Sequence, residues 1–395
     1  MTWRTVSIAD AVTEAKPGFA CGDNPTEGVF QFRMNNVTTA GTLDLSRRRR
    51  VPATTQKLAS FLLEPGDVLF NATNSPDLVG KSAFFPGIEE PAVFSNHFVR
   101  LRPRNHVDGR FLARWLSYQY QLRRFEGICR QWVNQATVGR DALLKLSMPL
   151  PPLDEQRRIA EVLDRAEALL AKRREAIAHL DEIAQSIFLD MFGDPVRATT
   201  PWATTTLAKA VKPGTIVTYG IVQAGDEVSD GVPYIRTGDI VGGEVSMDGL
   251  RRTAPEIAAR FGRSRVQAGD IVMSIRATVG TTAMIPRKLS GANLTQGTAR
   301  IAPSDSVQGP YLLHMLRAPS VQQWIERQVK GATFREITLA RLRDLPVLVP
   351  PTTLQHDFAT RIAQLDGLKA AHRASLTHLD TLFASLQHRA FRGEL

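Results

Sequence analysis

The chain has 395 residues, of which 43% are hydrophobic and 22% charged, a globular composition that excludes intrinsic disorder. Its 49 basic and 39 acidic side chains give a net charge of +10, which favours a polyanionic partner, and nucleic acid first. There is no apolar run of the ~18 residues that a membrane span needs, and no apolar signal region near the start, so we expect a cytoplasmic protein without a membrane partner. The two cysteines, Cys21 and Cys129, form no CxxC motif, which excludes a disulfide framework and a thiolate zinc site.

The sequence repeats itself once, with an offset of about 200 residues. Similar short segments recur in the same order in both halves, and chance matching would not keep that order. The matched segments are 2–12 and 201–211, 29–37 and 232–240, 64–70 and 267–273, 79–83 and 279–283, 98–103 and 297–303, 111–116 and 311–316, and the Pro-Pro pairs at 151–152 and 350–351. A period of this length indicates a duplicated domain pair, because the units of a solenoid are much shorter.

The two halves predict the same series of elements along the chain. In the first half, PGDVLF (65–70) is typical of a turn followed by a strand, and FLARWLSYQYQLRRF (111–125) is typical of a helix. In the second half, turns and strands are predicted at 232–240, 268–275 and 298–303, and a helix at 311–329. We therefore predict a first globular domain at 1–150, a long helix at 151–194, a second globular domain at 195–349 and a second long helix at 350–395.

The two long helices carry the heptad pattern of a coiled coil, with apolar residues at alternating spacings of four and three. The predicted seam residues are Ile159, Leu163, Leu170, Ile177, Leu180, Ile187, Phe358, Ile362, Leu365, Leu376, Leu379, Phe383 and Leu386. Thr352 and Gln355 predict a capping box at the start of the second helix, and Gly193 predicts a C-terminal cap on the first.

We expect the two helices to pair with each other in antiparallel orientation, because a parallel pairing would need a long connection between them. The alternatives are a homodimeric coiled coil and a helix that packs on its own domain. Antiparallel pairing would place the globular domains at opposite ends of a rod of about 60 Å. The predicted fold class is α/β of the mixed α+β kind, a pseudo-twofold tandem repeat of two strand-rich globular domains joined by two long antiparallel coiled-coil helices.

The basic excess lies in the globular domains. Residues 1–153 and 194–353 each hold 19 basic and 13 acidic side chains, whereas residues 154–193 hold 6 and 9. Arginine suits phosphate and guanine, and asparagine and glutamine suit adenine. The candidate DNA-binding residues are Arg47, Arg48, Arg49, Arg50, Asn71, Asn74, Lys81, Arg102, Arg123, Arg124, Arg130, Gln131, Asn134, Arg236, Arg251, Arg252, Arg276, Gln296, Lys330 and Arg335. For any one of them, an ordinary solvated surface residue is the alternative interpretation.

Catalytic motifs are missing from the sequence. Gly80-Lys81-Ser82 resembles the end of a phosphate-binding loop, but position 75 is serine where that motif needs glycine. The histidines show no HExxH or other metal-ligand spacing. Asp67 and Asp270 follow Pro-Gly and Ala-Gly, where turn geometry explains them better than a metal-dependent nuclease site. We therefore predict no catalytic residues, no metal site and no cofactor on this chain.

The segment PLPPLDEQRRIAEVLDRAEALL (149–170) resembles the first helix of the specificity (S) subunits of type I restriction–modification systems, the HsdS family. The resemblance extends over essentially the whole chain, with an Ala-Thr element in each half at Ala136-Thr137 and Ala332-Thr333. The second copy departs from the pattern, since VPPTTLQHDF keeps Pro-Pro and the glutamine but lacks the preceding glutamate.

The resemblance implies a sequence-reading subunit without an active site. Each globular domain would read one half of a split target in double-stranded DNA, and the helix pair would set the gap between the halves. Two methyltransferase (M) subunits, which bind S-adenosylmethionine and methylate adenine, would assemble on this chain. Restriction (R) subunits, which use ATP and Mg²⁺ and cut DNA, would join that core.

Two other hypotheses remain open at this point. One is a stand-alone two-headed DNA-binding regulator without methyltransferase partners, and the other is a nuclease with an unrecognised metal site. Val162, Leu169 and Ile183 lie off the predicted seam, where they indicate either a partner-docking face or a wider intramolecular core.

Overall fold

The computed structural model describes residues 3–54, 58–197, 201–331 and 335–395. The predicted Ala332-Thr333 element lies outside these residues. The chain divides into two compact units, unit 1 (Met1–Arg173 with Ser375–Leu395) and unit 2 (Arg174–Ala374).

Unit 1 is built from short strands and a few helices. Its strands are β1 (Arg4–Ser7), β2 (Val12–Pro17), β3 (Val29–Phe32), β4 (Arg50–Val51), β5 (Val68–Asn71), β6 (Thr73–Asn74), β7 (Ser82–Phe84), β8 (Ala92–Phe94), β9 (Phe98–Pro103), β10 (Arg130–Gln131), β11 (Ala136–Thr137) and β12 (Ser147–Leu150). Its helices are α1 (Ile8–Ala11), α2 (Gly109–Gln121), α3 (Arg140–Leu144) and the first half of α4 (Leu153–Phe192).

Unit 2 has a closely similar series of elements. Its strands are β13 (Ala203–Thr206), β14 (Thr218–Tyr219), β15 (Val232–Ile235), β16 (Ile240–Val241), β17 (Glu244–Val245), β18 (Arg252–Thr253), β19 (Ile271–Ser274), β20 (Thr282–Met284), β21 (Asn293–Leu294), β22 (Thr298–Ile301) and β23 (Pro346–Val349). Its helices are α5 (Pro255–Arg260), α6 (Gly309–Arg317), α7 (Pro319–Gln328), α8 (Leu339–Arg343) and the first part of α9 (Thr352–Ala390).

The sheets repeat in the same order in both units, which confirms the duplication. Unit 1 has a four-stranded antiparallel sheet β2–β9–β5–β7, and unit 2 has β14–β22–β19–β20. A three-stranded sheet follows in each, β4–β3–β8 and β18–β15–β21, with one parallel pair in both. The pairs β1–β12 and β13–β23 close the two domains. The mixed α+β fold class predicted from the sequence is therefore confirmed.

One inner strand of each four-stranded sheet, β5 in unit 1 and β19 in unit 2, is buried on both faces, and this explains its continuous apolar sequence. In β5, Val68 and Phe70 face one hydrophobic cluster while Leu69 faces another. Strand β19 repeats the arrangement with Met273 on one side and Val272 on the other. Because side chains alternate along a strand, a strand between two cores needs apolar residues at every position.

The two long helices pack together within each unit. In unit 1, Ile159 and Leu163 of α4 join the core that also contains Phe111 of α2, and Phe383 and Leu386 of α9 pack against it. In unit 2, Phe188 and Phe192 of α4 pack on Phe358 of α9 and on Tyr311 of α6, with ring centroids 4.8–5.7 Å apart. The N-terminal part of each helix thus lies beside the C-terminal part of the other, which is the predicted antiparallel arrangement.

All thirteen predicted seam residues are buried or half-buried. The polar centre of the seam is satisfied in unit 2, where Lys369 Nζ lies 2.5 Å from Asp181 Oδ1. The predicted C-terminal cap is confirmed, because Gly193 adopts a φ of +77° and its N–H donates to the carbonyl of Leu189 at 2.8 Å.

Two sequence-based expectations are corrected. The predicted helix at 311–329 is two helices, α6 and α7, because Pro319 lacks an N–H group and begins a new helix after Ala318. The predicted capping box at Thr352 does not form, because the Gln355 side chain bonds elsewhere.

Gln156 and Gln355 link each globular domain to the start of its long helix, and both are fully buried. Gln156 Oε1 accepts from the N–H of Asp108 (2.8 Å), and its Nε2 donates to the carbonyls of His106 (3.0 Å) and Pro151 (2.9 Å). Gln355 repeats the pattern with the N–H of Gln308 and the carbonyls of Ser306 and Pro350, at 2.8–2.9 Å. We call this the glutamine clamp.

Unit 2 also encloses a cavity of about 520 Å³ between α6, α9 and the β16–β17 hairpin. His314 of α6 lines the cavity at 8% exposure, and burial together with Arg317 and Lys369 lowers its pKa to about 4. The corresponding position in unit 1 is Arg114, which is ion-paired with Asp164 and Glu167.

Replacing Gln156 with leucine should lower the free energy of unfolding by about 1–3 kcal/mol, because buried backbone groups lose their partners. Gln355→Leu should have a similar effect on unit 2. The measurement is the urea midpoint, with amide exchange of residues 105–112 and 305–312 followed by mass spectrometry. Gln364→Leu, an exposed glutamine on α9, is the control. Equal midpoints for the clamp variants and the control would contradict the clamp.

Unit 2 should lose stability as the pH falls from about 6.5 towards 4. In this window the unfolded chain protonates His314 while the folded chain does not, which costs on the order of 2 kcal/mol at pH 5 relative to pH 7.5. The measurement is amide exchange of α6 against pH. His314→Gln should flatten the dependence, whereas His356→Gln on the exposed face of α9 should leave it unchanged. The same slope in His314→Gln and wild type would refute this assignment.

Candidate nucleic-acid interface

The Pro-Gly-Asp and Ala-Gly-Asp segments close turns, as the sequence indicated. The Glu64 N–H donates to Asp67 Oδ2, and the Gln267 N–H donates to Asp270 Oδ2, both at 2.8 Å. Each aspartate also holds an arginine from the neighbouring strand: Arg102 Nε and Nη2 lie 2.8 and 2.9 Å from Asp67, and Arg300 Nε lies 2.6 Å from Asp270. The hydrogen bond to Asp67 raises the pKa of Arg102. The Arg102 guanidinium is therefore bound to Asp67 within unit 1.

Three more candidates lie in the interior of unit 1. Asn71 Nδ2 donates to the carbonyls of Thr73 and His97, and Asn74 Nδ2 donates to Asn71 Oδ1 at 2.6 Å. Lys81 Nζ donates to the Val37 carbonyl at 2.6 Å, and burial lowers its pKa. Asn71 and Asn74 thus join β5, β6 and the segment at His97, and Lys81 joins the start of β7 to residues 34–37, so all three side chains are engaged within the domain.

The four-arginine run divides between structural and exposed side chains. Arg48 and Arg50 both bind Glu90 at 2.6 Å. Arg49 Nη2 donates to the carbonyls of residues 21–23. Arg47 is exposed. Arg48, Arg49 and Arg50 therefore bind within unit 1, to Glu90 and to residues 21–23.

Three candidates come together on one exposed hairpin in unit 1. Arg130 and Gln131 form β10, which pairs with β11, and Asn134 lies in the connecting turn. All three are exposed, as are Arg123 and Arg124 on the turn that follows α2. We call residues 130–137 the β10–β11 hairpin.

The sequence did not single out the two most exposed apolar residues of this hairpin. Trp132 is 68% exposed and Val133 is 98% exposed. The available signal was the segment RQWVNQ, in which an aromatic and an aliphatic residue stand among basic and amide side chains.

The candidates of unit 2 lie at several places on its surface. Arg236 is held by Asp239 through two bonds of 2.7 and 3.0 Å, and Arg276 lies 2.8 Å from Glu336. Arg335 pairs with Glu326. The exposed candidates of unit 2 are Arg251, Arg252, Lys330 and Arg335, whereas Gln296 is half-buried.

Across residues 3–54, 58–197, 201–331 and 335–395, no group of three or more His, Cys, Asp or Glu side chains is placed to hold a metal ion. The helices within the same ranges are too short or too polar to cross a membrane.

A model of the family described as type I restriction modification DNA specificity domain matches residues 33–179 and 221–378. The EcoBI type I restriction enzyme specificity subunit of Escherichia coli is 30% identical over 281 residues, 63% of this chain. The chain spans 58% of the length of that relative in this match. The EcoKI specificity subunit of E. coli K12 is 22% identical over 92% of this chain and 82% of its own length.

Solved structures share the fold. A chain from a structure reported as the basis of complex assembly and conformational transition of the type I R-M system has a TM-score of 0.55 at 20% identity, covering 100% of this chain and 98% of its own length. The type I restriction-modification S subunit from M. genitalium has a TM-score of 0.52 at 15% identity, with 99% and 96% covered. Because the family model covers most of both repeats, this chain belongs to the type I restriction–modification specificity (HsdS) family and carries two copies of its DNA specificity domain.

Proposed function

We propose that this chain is the non-catalytic specificity subunit of a cytoplasmic type I restriction–modification complex. Each globular domain reads one half of a bipartite target in double-stranded DNA. One observation carries the proposal. This chain, a member of a family of DNA specificity proteins, contains the same fold twice, and both copies have a glutamine clamp and the same excess of basic over acidic side chains. Two copies of one reader suit a target made of two separated parts.

The two half-sites differ in sequence under this proposal, because the two exposed surfaces differ. Unit 1 presents the β10–β11 hairpin with Arg130, Gln131 and Asn134. Unit 2 presents exposed arginines at 251 and 252, beside β15. Arginine and amide side chains make the bidentate contacts that distinguish guanine and adenine.

The long helices set the gap between the half-sites. Helix α4 has 40 residues and α9 has 39, so each is about 60 Å long at 1.5 Å per residue. A continuous helix without an internal proline is stiff enough to fix a distance along DNA.

The helices also dock the methyltransferase subunits. Unit 1 exposes Leu169 of α4 (58%) and Leu382 of α9 (50%), and unit 2 exposes Ile183 of α4 (45%) and Leu368 of α9 (52%). The repeat places Leu169 on Leu368 and Ile183 on Leu382. Exposed apolar residues at equivalent positions suit two copies of one partner. The chemistry then belongs to partners: M subunits that bind S-adenosylmethionine and methylate adenine, and R subunits that use ATP and Mg²⁺.

Co-expression of this chain with the methyltransferase (M) subunit of the same system should produce methylated adenines in a bipartite motif with a fixed gap. Single-molecule sequencing of the host DNA maps these adenines. Arg130→Ala with Gln131→Ala should relax the motif in one half only, and Arg251→Ala with Arg252→Ala in the other half. Loss of one good base contact costs about 1–3 kcal/mol of discrimination. Absence of new methylation and of a co-purifying subunit would leave a stand-alone DNA-binding protein instead.

Leu169→Lys together with Leu382→Lys should remove one methyltransferase subunit from the assembled complex, because two charged side chains replace apolar contact area. Lysine at 183 and 368 should remove the other, and the quadruple variant both. Native mass spectrometry reports the stoichiometry. Glu182→Lys, an exposed acidic residue beside Ile183, is the control for added positive charge. A quadruple variant that keeps two methyltransferase subunits would show that docking lies elsewhere.

A further inference from the structure

The tip of the β10–β11 hairpin exposes an unusual amount of apolar surface. Trp132 is 68% exposed and Val133 is 98% exposed, although large apolar side chains of a folded domain are mostly covered. We infer that Trp132, supported by Val133, is a wedge that enters the base stack of the half-site bound by unit 1. The inference rests on the proposed function and adds a mode of recognition, insertion, to contacts in the groove.

The base of the hairpin is fixed to the domain. Ala136 is fully buried, and the Val138 N–H donates to the Ala72 carbonyl at 2.9 Å. Strand β11 pairs with β6, where the hydroxyls of Thr73 and Thr137 lie 3.2 Å apart. At the tip, the backbone N–H of Trp132 donates to the backbone carbonyl of Gln135 at 2.7 Å. A wedge needs such a base, because an unanchored loop would fold away before it separated two bases.

One face of the hairpin combines a cation with the indole. Arg130 pairs with Thr137 across the two strands, and Gln131 pairs with Ala136. The backbone bond from Trp132 to Gln135 continues this pairing one residue beyond β10, and because side chains alternate along a strand, we place Arg130 and Trp132 on one face and Gln131 on the other. No ion pair engages the Arg130 guanidinium in the part of the chain that the structure describes. Arg130 can therefore bind a phosphate next to the step that Trp132 enters.

The surroundings favour DNA over a protein partner. Arg123 and Arg124 are exposed on the preceding turn, and Glu126, the acid of this segment, lies 3.6 Å from Arg123. An aromatic ring stacks on any base, and apolar side chains inserted at a base step kink the duplex. The energetic cost of separating two bases is lowest at flexible pyrimidine–purine steps, so the wedge adds a sequence preference without a base-edge hydrogen bond.

The test uses the complete chain assembled with its methyltransferase subunits, and duplexes that carry the mapped target. 2-Aminopurine replaces one base at a time across the half-site assigned to unit 1. In the wild-type complex, emission should rise on binding at one step besides the methylated adenine, which methyltransferases flip out of the stack, because 2-aminopurine brightens when it loses its neighbouring base. Trp132→Ala should abolish that rise and weaken target binding by about 5-fold to 150-fold, the range of one base–aromatic stack. Trp132→Phe should keep most of both effects.

The control is Val241→Ala, which removes an equally exposed apolar side chain from β16 in unit 2 and should change neither readout. Emission that stays flat in the wild-type complex at every position other than the methylated adenine, with normal binding, would overturn the wedge even if Trp132→Ala bound weakly. Unchanged emission and affinity in Trp132→Ala would overturn it as well. A wild-type complex that binds no duplex would instead refute the proposed function, which keeps the two failures distinct.

Discussion

The glutamine clamp is the interaction on which each unit depends. Gln156 and Gln355 are fully buried, and each uses its carbonyl oxygen and its amide group to join three backbone groups. Two of those groups lie just before α2 or α6, and the third is a carbonyl of the Pro-Pro segment before the long helix. The direction in which a long helix leaves its globular domain is thereby set by hydrogen bonds that no aliphatic residue could replace. A geometry defined by a helix pair needs this joint to be rigid.

The same joint gives a structural reason for the Pro-Pro-x-x-x-Gln spacing that both halves of the sequence share. Proline ends the preceding strand and cannot extend the helix backwards, and the glutamine one turn into the helix reaches back to the loop before α2 or α6. The second copy lacks the glutamate before its glutamine, yet its clamp has the same three bonds. The glutamine and the prolines therefore carry the joint, and the neighbouring glutamate is dispensable for it.

The sequence predicted the duplication because similar segments recur in order at an offset of about 200 residues. It predicted the strands after the Gly-Asp turns and both long helices because these elements depend on turn residues and local periodicity. It could not show which cationic side chains are exposed, because an arginine's availability depends on residues far away in the chain. Arg102 is held by Asp67, 35 positions earlier, and Arg50 by Glu90, 40 positions later. Lys81 donates to carbonyls near residue 35. Nothing in the local pattern separates these side chains from Arg130, which is exposed on its hairpin.

The two units keep the same backbone contacts and differ in several buried side chains as well as in exposed ones. The clamp, the Gly-Asp turn and the doubly buried strand recur, whereas ion-paired Arg114 becomes neutral His314 and buried Lys81 becomes Thr281. The exposed side chains differ as well: residues 130–135 include a tryptophan that has no counterpart in the second copy. A scaffold held by buried backbone contacts tolerates such changes, because exposed substitutions cost little stability. Two readers of different sequences can therefore evolve on one duplicated frame, without altering the joints that fix each reader to its helix.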